Sequence, residues 1–185
     1  NWVTQDMTML TTLDAPSYAV ASGYRAVSGL FGCTCCMAMC LFLQQKDNKP
    51  LRWGVYLYSL CHWWYTIGRI LLLYRPNLLM GDLAESVYLY EVMVPTTFLY
   101  IISWIIIFAG GVRADKAAKR LAWCAVIIPI LALVGVYFSG PVPDTNQFGL
   151  MMRWGYYAPV LFVAILGIYG FYLPDTGPQK VDLGE

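Results

Sequence analysis

The chain has 185 residues, of which 59% are hydrophobic, 16% aromatic and 12% charged, and its formal net charge is +1. Soluble globular domains carry about 25% charged residues, and a domain of this length cannot bury so large an apolar fraction in one core. The composition excludes a soluble enzyme, a nucleic-acid-binding protein and a disordered tail. It predicts an all-α integral membrane protein, because the length accommodates about five helices of ~20 residues each.

Five continuous apolar runs follow one another along the chain, separated by short polar segments. The predicted membrane spans are approximately residues 23–43, 51–74, 83–110, 121–138 and 148–173. Such runs are typical of transmembrane helices, whereas the strands of membrane barrels are shorter and alternate in polarity. Pro95 is expected to kink the third span, and Pro129 and Pro159 lie inside the fourth and fifth. No repeat or linker divides the chain, so we expect residues 1–185 to form a single polytopic helix bundle.

The basic residues indicate how this bundle is oriented in the membrane. With five spans, segments 44–52 and 112–120 and the C-terminal tail lie on one side. That side carries eight of the twelve lysines and arginines, namely Lys46, Lys49, Arg52, Arg113, Lys116, Lys119, Arg120 and Lys180. Short loops rich in Lys and Arg stay on the cytoplasmic side of a membrane. The N-terminus is therefore predicted to be outside or lumenal, and the C-terminus cytoplasmic or stromal.

Two ionisable residues of opposite charge lie inside neighbouring predicted spans. Arg69 lies about 9 Å from the outer end of the second span, and Glu91 lies about 12 Å into the third. Antiparallel neighbours bring both residues to a similar depth, where a salt bridge would cancel two costly charges. The sequence predicts an intramembrane ion pair between them. A role in proton or ion passage, or separate snorkelling of the two side chains, are the alternatives.

A second polar feature accompanies this pair. His62, Tyr65 and Thr66 share one helical face with Arg69, and Tyr88 shares the face of Glu91. These residues predict a polar patch between the second and third spans. For His62, the only histidine, the sequence leaves open a hydrogen bond within the protein or contact with a pigment such as chlorophyll. The six cysteines lie in apolar runs and are expected to be packing residues, so neither a metal site nor a catalytic group is predicted.

Four segments of this sequence resemble the first five helices of microbial rhodopsins of the proteorhodopsin-like branch. They are residues 41–47, the aromatic cluster 61–65 around His62, residues 88–95 and residues 136–140. Ser86 and Leu89 stand where that family has an arginine and an acidic counterion, and no lysine lies in a predicted span. The resemblance therefore implies a degenerate rhodopsin-like fold in which covalent binding of retinal is not possible in the chain as given.

These features together predict a non-catalytic integral membrane subunit. We expect a rhodopsin-like scaffold or an accessory subunit of a larger complex, photosynthetic or respiratory, in a thylakoid or another organellar membrane. Its expected partners are membrane lipids and other membrane subunits, without nucleic acid, and its candidate cofactors are chlorophyll, carotenoid or lipid. The alternative is a microbial-rhodopsin-like retinal protein or a transporter, if the chain continues beyond residue 185. A membrane enzyme of lipid metabolism is disfavoured, because no cluster of His or Asp marks its site.

The ion pair is testable by a double-mutant cycle. Arg69→Met or Glu91→Gln alone should destabilise the protein by about 3 kcal/mol, because each leaves an uncompensated charge in the membrane. The double variant should be more stable than either single one. Unfolding in detergent micelles measures the three losses of stability, and additive losses would contradict the pair.

Overall fold

The computed structural model describes residues 16–44, 47–73, 94–138 and 148–171, and within these ranges the chain is all-α. It forms five helices: α1 (Tyr18–Gln44), α2 (Lys49–Leu73), α3 (Val94–Gly111), α4 (Lys116–Phe138) and α5 (Phe148–Phe171). The predicted all-α class is confirmed. The predicted third span began at residue 83, and its portion 83–93 lies outside the described residues. Pro95 lies at the start of the described part of α3, and the predicted kink at this proline stays a prediction.

Three of the helices begin earlier than the apolar runs predicted: α1 begins five residues earlier, and α2 and α4 begin earlier because polar residues cap them. The backbone N–H of Leu51 donates to Asn48 Oδ1 at 3.2 Å, which starts α2 two residues before the apolar run. The N–H of Ala117 donates to Asp115 Oδ2 at 3.2 Å, which starts α4 five residues before its run. The first turns of both helices therefore consist of residues that hydropathy alone assigns to loops.

Three of the helices have the length and apolarity needed to cross a membrane. They comprise Ala19–Gln44, Val94–Gly111 and Lys116–Gly135, and a shorter apolar stretch, Tyr157–Phe171, lies in α5. Helix α2 has 25 residues, about 37 Å at 1.5 Å per residue, but it carries more polar side chains than these three. The three helices support a membrane protein, in agreement with the composition.

The helices form a closed ring around one core. Each helix packs against the next along the chain, and α5 returns to pack against α1. The amide of Asn48 donates to the carbonyl of Gly110 at 2.8 Å, so the start of α2 meets the end of α3. Arg52 donates to the carbonyl of Gln44 at 3.3 Å and joins the start of α2 to the end of α1. Consecutive helices are therefore antiparallel, and the α1–α2 and α3–α4 connections lie at the same end of the bundle.

Helices α2 and α3 approach closely because glycines form their contact. A Cβ added to Gly54 would lie 2.7 Å from Ile107 Cγ1 and 2.8 Å from its backbone nitrogen. At Gly110, an added Cβ would overlap the backbone nitrogen of Leu51. Backbone atoms cannot move away as the end of a side chain can. The interface therefore requires glycine at both positions, in the way that small residues allow close packing of membrane helices.

Gly110→Ala should separate α2 from α3 and destabilise the protein by about 2 kcal/mol, as overpacking does. Gly23→Ala is the matched control, because an added Cβ at Gly23 meets nothing within 4 Å. It should leave stability unchanged or raise it slightly, since alanine favours the helix. Thermal unfolding followed by circular dichroism in detergent compares the two variants. Equal stability of both would contradict the close contact.

Candidate functional site

The residues predicted from the sequence as a site fall partly within the described structure. His62, Tyr65 and Thr66 lie on one face of α2, with His62 and Thr66 buried and Tyr65 half-buried. Tyr88 and Glu91 lie outside the described residues. Arg69 belongs to α2, but its side chain lies outside the description. The ion pair between Arg69 and Glu91, and the contact of Tyr88 with the patch, therefore stay predictions.

An aromatic cluster occupies the centre of the ring, and we call it the aromatic core. It consists of Tyr58 on α2, Tyr100 and Trp104 on α3, and Phe162 on α5. The Tyr58 ring centroid lies 5.0 Å from that of Tyr100 and 4.9 Å from that of Phe162. Such edge and tilted contacts stabilise aromatic pairs beyond their buried area. The aromatic core fills the space between α2, α3 and α5 with side chains.

The hydroxyl of Tyr58 joins two helices that are far apart in sequence. It donates to the carbonyl oxygen of Pro159 at 2.6 Å. On the next turn of α5, the thiol of Cys35 on α1 donates a weaker bond to the carbonyl of Val163, with an S–O distance of 3.7 Å. Side chains of α1 and α2 thus reach the backbone of α5 at two successive turns, and they hold α5 in the ring.

His62 lies beside the aromatic core, where α1, α2 and α3 meet. Its Nδ1 lies 3.3 Å from the hydroxyl oxygen of Tyr100. Its ring stacks on Tyr58 with an interplanar angle of 14° and a centroid distance of 6.4 Å. Within the described part of the chain, His62 Nε2 has no hydrogen-bond partner. His62 is therefore tied to α3 through one ring nitrogen, while the other faces α1.

Two glycines of α1 pack against the polar face of α2. A Cβ added to Gly32 would overlap His62 Nε2, and a Cβ added to Gly29 would lie 2.7 Å from Thr66 Cγ2. The backbone of α1 therefore covers Nε2 directly. Ligation of a pigment metal through this nitrogen would require α1 to move away from α2, whereas the hydrogen bond between Nδ1 and the Tyr100 hydroxyl needs no rearrangement.

The cysteines supply further contacts between helices. Cys40 on α1 donates to Ser59 Oγ on α2 at 3.2 Å, and Ser59 Oγ donates to the Val55 carbonyl at 2.7 Å. All six thiols are free, and Cys33, Cys36 and Cys61 are buried. Among the residues described, no group of three or more His, Cys, Asp or Glu is arranged to hold a metal ion. The thiols thus contribute packing and weak hydrogen bonds.

An apolar groove of about 100 Å³ lies between α4 and α5. Its lining consists of Ile128, Leu131, Ala132, Tyr157, Ala158 and Leu161. The lining is aliphatic apart from Tyr157, so the polar groups to be considered for a site remain those of α2.

Sequence reasoning missed most of the aromatic core. Tyr58 precedes His62 by four residues, so helical periodicity could have added it to the polar face of α2. Tyr100, Phe162 and the carbonyl of Pro159 come from other helices, and a single sequence carries no signal for those pairings. The sequence likewise carries no signal that Gly32 packs against His62.

Comparison with known proteins adds no family to this description. No protein-family model matches the chain, and no curated protein or solved structure is significantly similar to it. The resemblance to microbial rhodopsins therefore stays a prediction from the sequence.

The bond from Tyr58 to Pro159 can be isolated by Tyr58→Phe, which keeps the ring and removes the hydroxyl. We expect a loss of about 1 kcal/mol, typical of a hydrogen bond between membrane helices. Tyr24→Phe is the matched control, because Tyr24 is exposed and has no hydrogen-bond partner in the described ranges. Unfolding in detergent measures both variants, and a Tyr58→Phe protein as stable as the control would contradict the bond.

Proposed function

We propose that this chain is a multi-pass integral membrane protein that crosses the bilayer five times. The N-terminus is outside or lumenal, and the C-terminus is cytoplasmic or stromal. Three helices with the length and apolarity of membrane spans support this proposal. Helices α2 and α5 lie beside them and have 25 and 24 residues, enough to cross the same hydrocarbon layer of about 30 Å. Tyr58, Ser59 and His62 of α2 face other helices at the contacts described above.

The observation that carries this proposal is the apolar outer surface of the ring. Large apolar side chains face outward along α1, α3 and α4, including Val20, Phe31, Phe98, Ile105 and Leu133, each at least 62% exposed. A soluble monomer rarely exposes contiguous apolar patches above a few hundred Å². A bilayer, or apolar surfaces of neighbouring subunits within it, covers such side chains.

Within the membrane, we propose a structural role as a non-catalytic, rhodopsin-like scaffold or accessory subunit of a larger complex. The complex is photosynthetic or respiratory, in a thylakoid or another organellar membrane. Side chains fill the interior of the ring, and the polar groups of Tyr58, Ser59 and His62 form hydrogen bonds with α5, α1 and α3, respectively. Chlorophyll, carotenoid or lipid would bind on the outer surface, where the apolar side chains lie.

The contact between α1 and α5 favours a scaffold over a seven-helix retinal protein or a transporter of that architecture. In a ring where consecutive helices are neighbours, two further helices would stand between α5 and α1. Here Gly170 of α5 packs against Met39 of α1, since an added Cβ would lie 2.8 Å from Met39 Sδ. The thiol of Cys35 on α1 also donates a hydrogen bond to the carbonyl of Val163 on α5. Further helices could enter the ring only by breaking these contacts.

The proposal is testable in sealed, right-side-out membrane vesicles with a membrane-impermeant maleimide. Pro16→Cys, at the start of α1, should be labelled at once. Lys116→Cys, at the start of α4, should be labelled only after the vesicles are permeabilised. The unmodified chain is the control for labelling of its own six thiols, of which three are buried and three half-buried. Release of the protein by alkaline carbonate, or equal labelling of both cysteines in sealed vesicles, would contradict the five-span orientation.

The same membranes test the role as a subunit. After solubilisation in digitonin, the labelled protein should migrate on a native gel with a complex much larger than its own 20.9 kDa. Mass spectrometry and absorbance of that band identify the other subunits and any pigment. Migration as a monomer in digitonin, with catalytic or transport activity of its own, would contradict the structural role.

A further inference from the structure

The bundle carries a concentrated positive charge at one end. Six cations lie at this end, in the first five residues of α2 and of α4 and in the connection between α3 and α4, against two described carboxylates, Asp47 and Asp115. We call this set the basic surface, and it consists of Lys49, Arg52, Arg113, Lys116, Lys119 and Arg120. Five of them are exposed, and Arg52 is half-buried.

The fold, and not the sequence order alone, creates the basic surface. Its two halves are about 60 residues apart along the chain. The bond from Asn48 to the carbonyl of Gly110 and the backbone contact of Leu51 with Gly110 hold the two connections together. The six cations therefore lie at one end of the bundle, where their positive electrostatic potentials add.

The charges of the basic surface are poorly compensated within the described chain. Asp115 uses a carboxylate oxygen to cap α4, and no described carboxylate forms a salt bridge with any of the six cations. Lys116, Lys119 and Arg120 lie three and four residues apart on α4, where like charges repel each other. Neither α2 nor α4 has an acidic residue in its first turn, so the helix dipoles add to the positive potential, which only the capping carboxylate of Asp115 offsets at α4.

Two tryptophans flank the basic surface on its apolar side. Trp53 follows Arg52 and is 64% exposed, and Trp123 lies one turn after Arg120 and is 48% exposed. The Trp123 ring packs edge-on against Phe108 of α3, with centroids 5.7 Å apart, which fixes the indole at this level. Exposed indoles beside cations are typical of the level at which lipid headgroups meet the hydrocarbon.

We infer that the basic surface binds the headgroups of anionic phospholipids of the membrane in which the chain lies. The headgroup phosphate pairs with lysine and arginine, the acyl chains lie along the exposed apolar side chains, and the indoles mark the boundary. This inference rests on the proposed function, since only a membrane-embedded chain places these cations at headgroup depth. It adds a charge preference that the membrane assignment alone does not require.

The test uses the purified full-length chain in neutral detergent and native mass spectrometry of bound lipid. The probes are dioleoylphosphatidylglycerol and dioleoylphosphatidylcholine, which have the same acyl chains and differ in headgroup charge. The unmodified protein should bind the anionic lipid at least tenfold more tightly. Lys116→Gln with Lys119→Gln should reduce that affinity about 25-fold, because each of the two surface cations contributes roughly a fivefold factor. In detergent, this measurement does not depend on how the protein inserts into a membrane.

Two control variants make the result specific. Lys116→Arg with Lys119→Arg keeps the charge and should bind the anionic lipid as the unmodified protein does. Arg25→Gln with Arg153→Gln removes the same number of charges from α1 and α5 away from the basic surface, and should change the affinity less than twofold. Circular dichroism verifies that each variant is folded.

The outcomes separate this inference from the proposed function. Equal affinity for the two lipids, or an equal loss in the Arg25 and Arg153 variant, overturns the basic surface as a lipid site while the membrane assignment stands. Complete release of the chain from its membranes by alkaline carbonate overturns both.

Discussion

The polar side chains of α2 are the constraint that the rest of the bundle satisfies. Among helices in a bilayer the hydrophobic effect gives little attraction, because lipid tails are as apolar as the side chains they replace. Packing and hydrogen bonds must hold the helices together. Helix α2 brings Tyr58, Ser59, His62 and Thr66 to the interior, all of them at least 94% buried. Each of these groups is costly in hydrocarbon unless another helix receives it.

The neighbours of α2 receive these groups in three different ways. Helix α3 offers the Tyr100 hydroxyl to His62, and α5 offers the carbonyl of Pro159 to Tyr58. On α1, Gly29 and Gly32 have no side chain and leave room for Thr66 and His62. The ring closes around α2 because its polar face extends over these three neighbours. This explains why the least apolar of the five described helices lies against so much of the core.

The sequence predicted this arrangement at the level of helices and faces, but not of partners. Apolar runs located five helices, and the period of the α-helix placed His62 and Thr66 on one face. Hydropathy misplaced the starts of α2 and α4, since Asn48 and Asp115 draw polar residues into the first turns. Pairing is a property of the folded ring: nothing near Gly32 in the sequence indicates that it packs against His62. The pairing of Arg69 with Glu91 stays a prediction for the same reason, because it was predicted only from the similar depth of the two residues.

At the end of the bundle beside Gly110, one contact has two opposing effects: it allows α2 and α3 to pack closely, and it brings cations together. Helices α2 and α3 need glycine there to approach each other. That approach places the basic start of α2 beside the basic segment from Arg113 to Arg120. Asp115 could neutralise part of the resulting charge, but its carboxylate caps α4 and points to the backbone of Ala117. Repulsion within α4 and the dipoles of α2 and α4 raise the energy of this end further. Close packing inside the ring is thus linked to unbalanced charge at its rim. A bilayer with anionic headgroups at that rim relieves the charge without changing the packing, whereas a neutral bilayer leaves the repulsion in place.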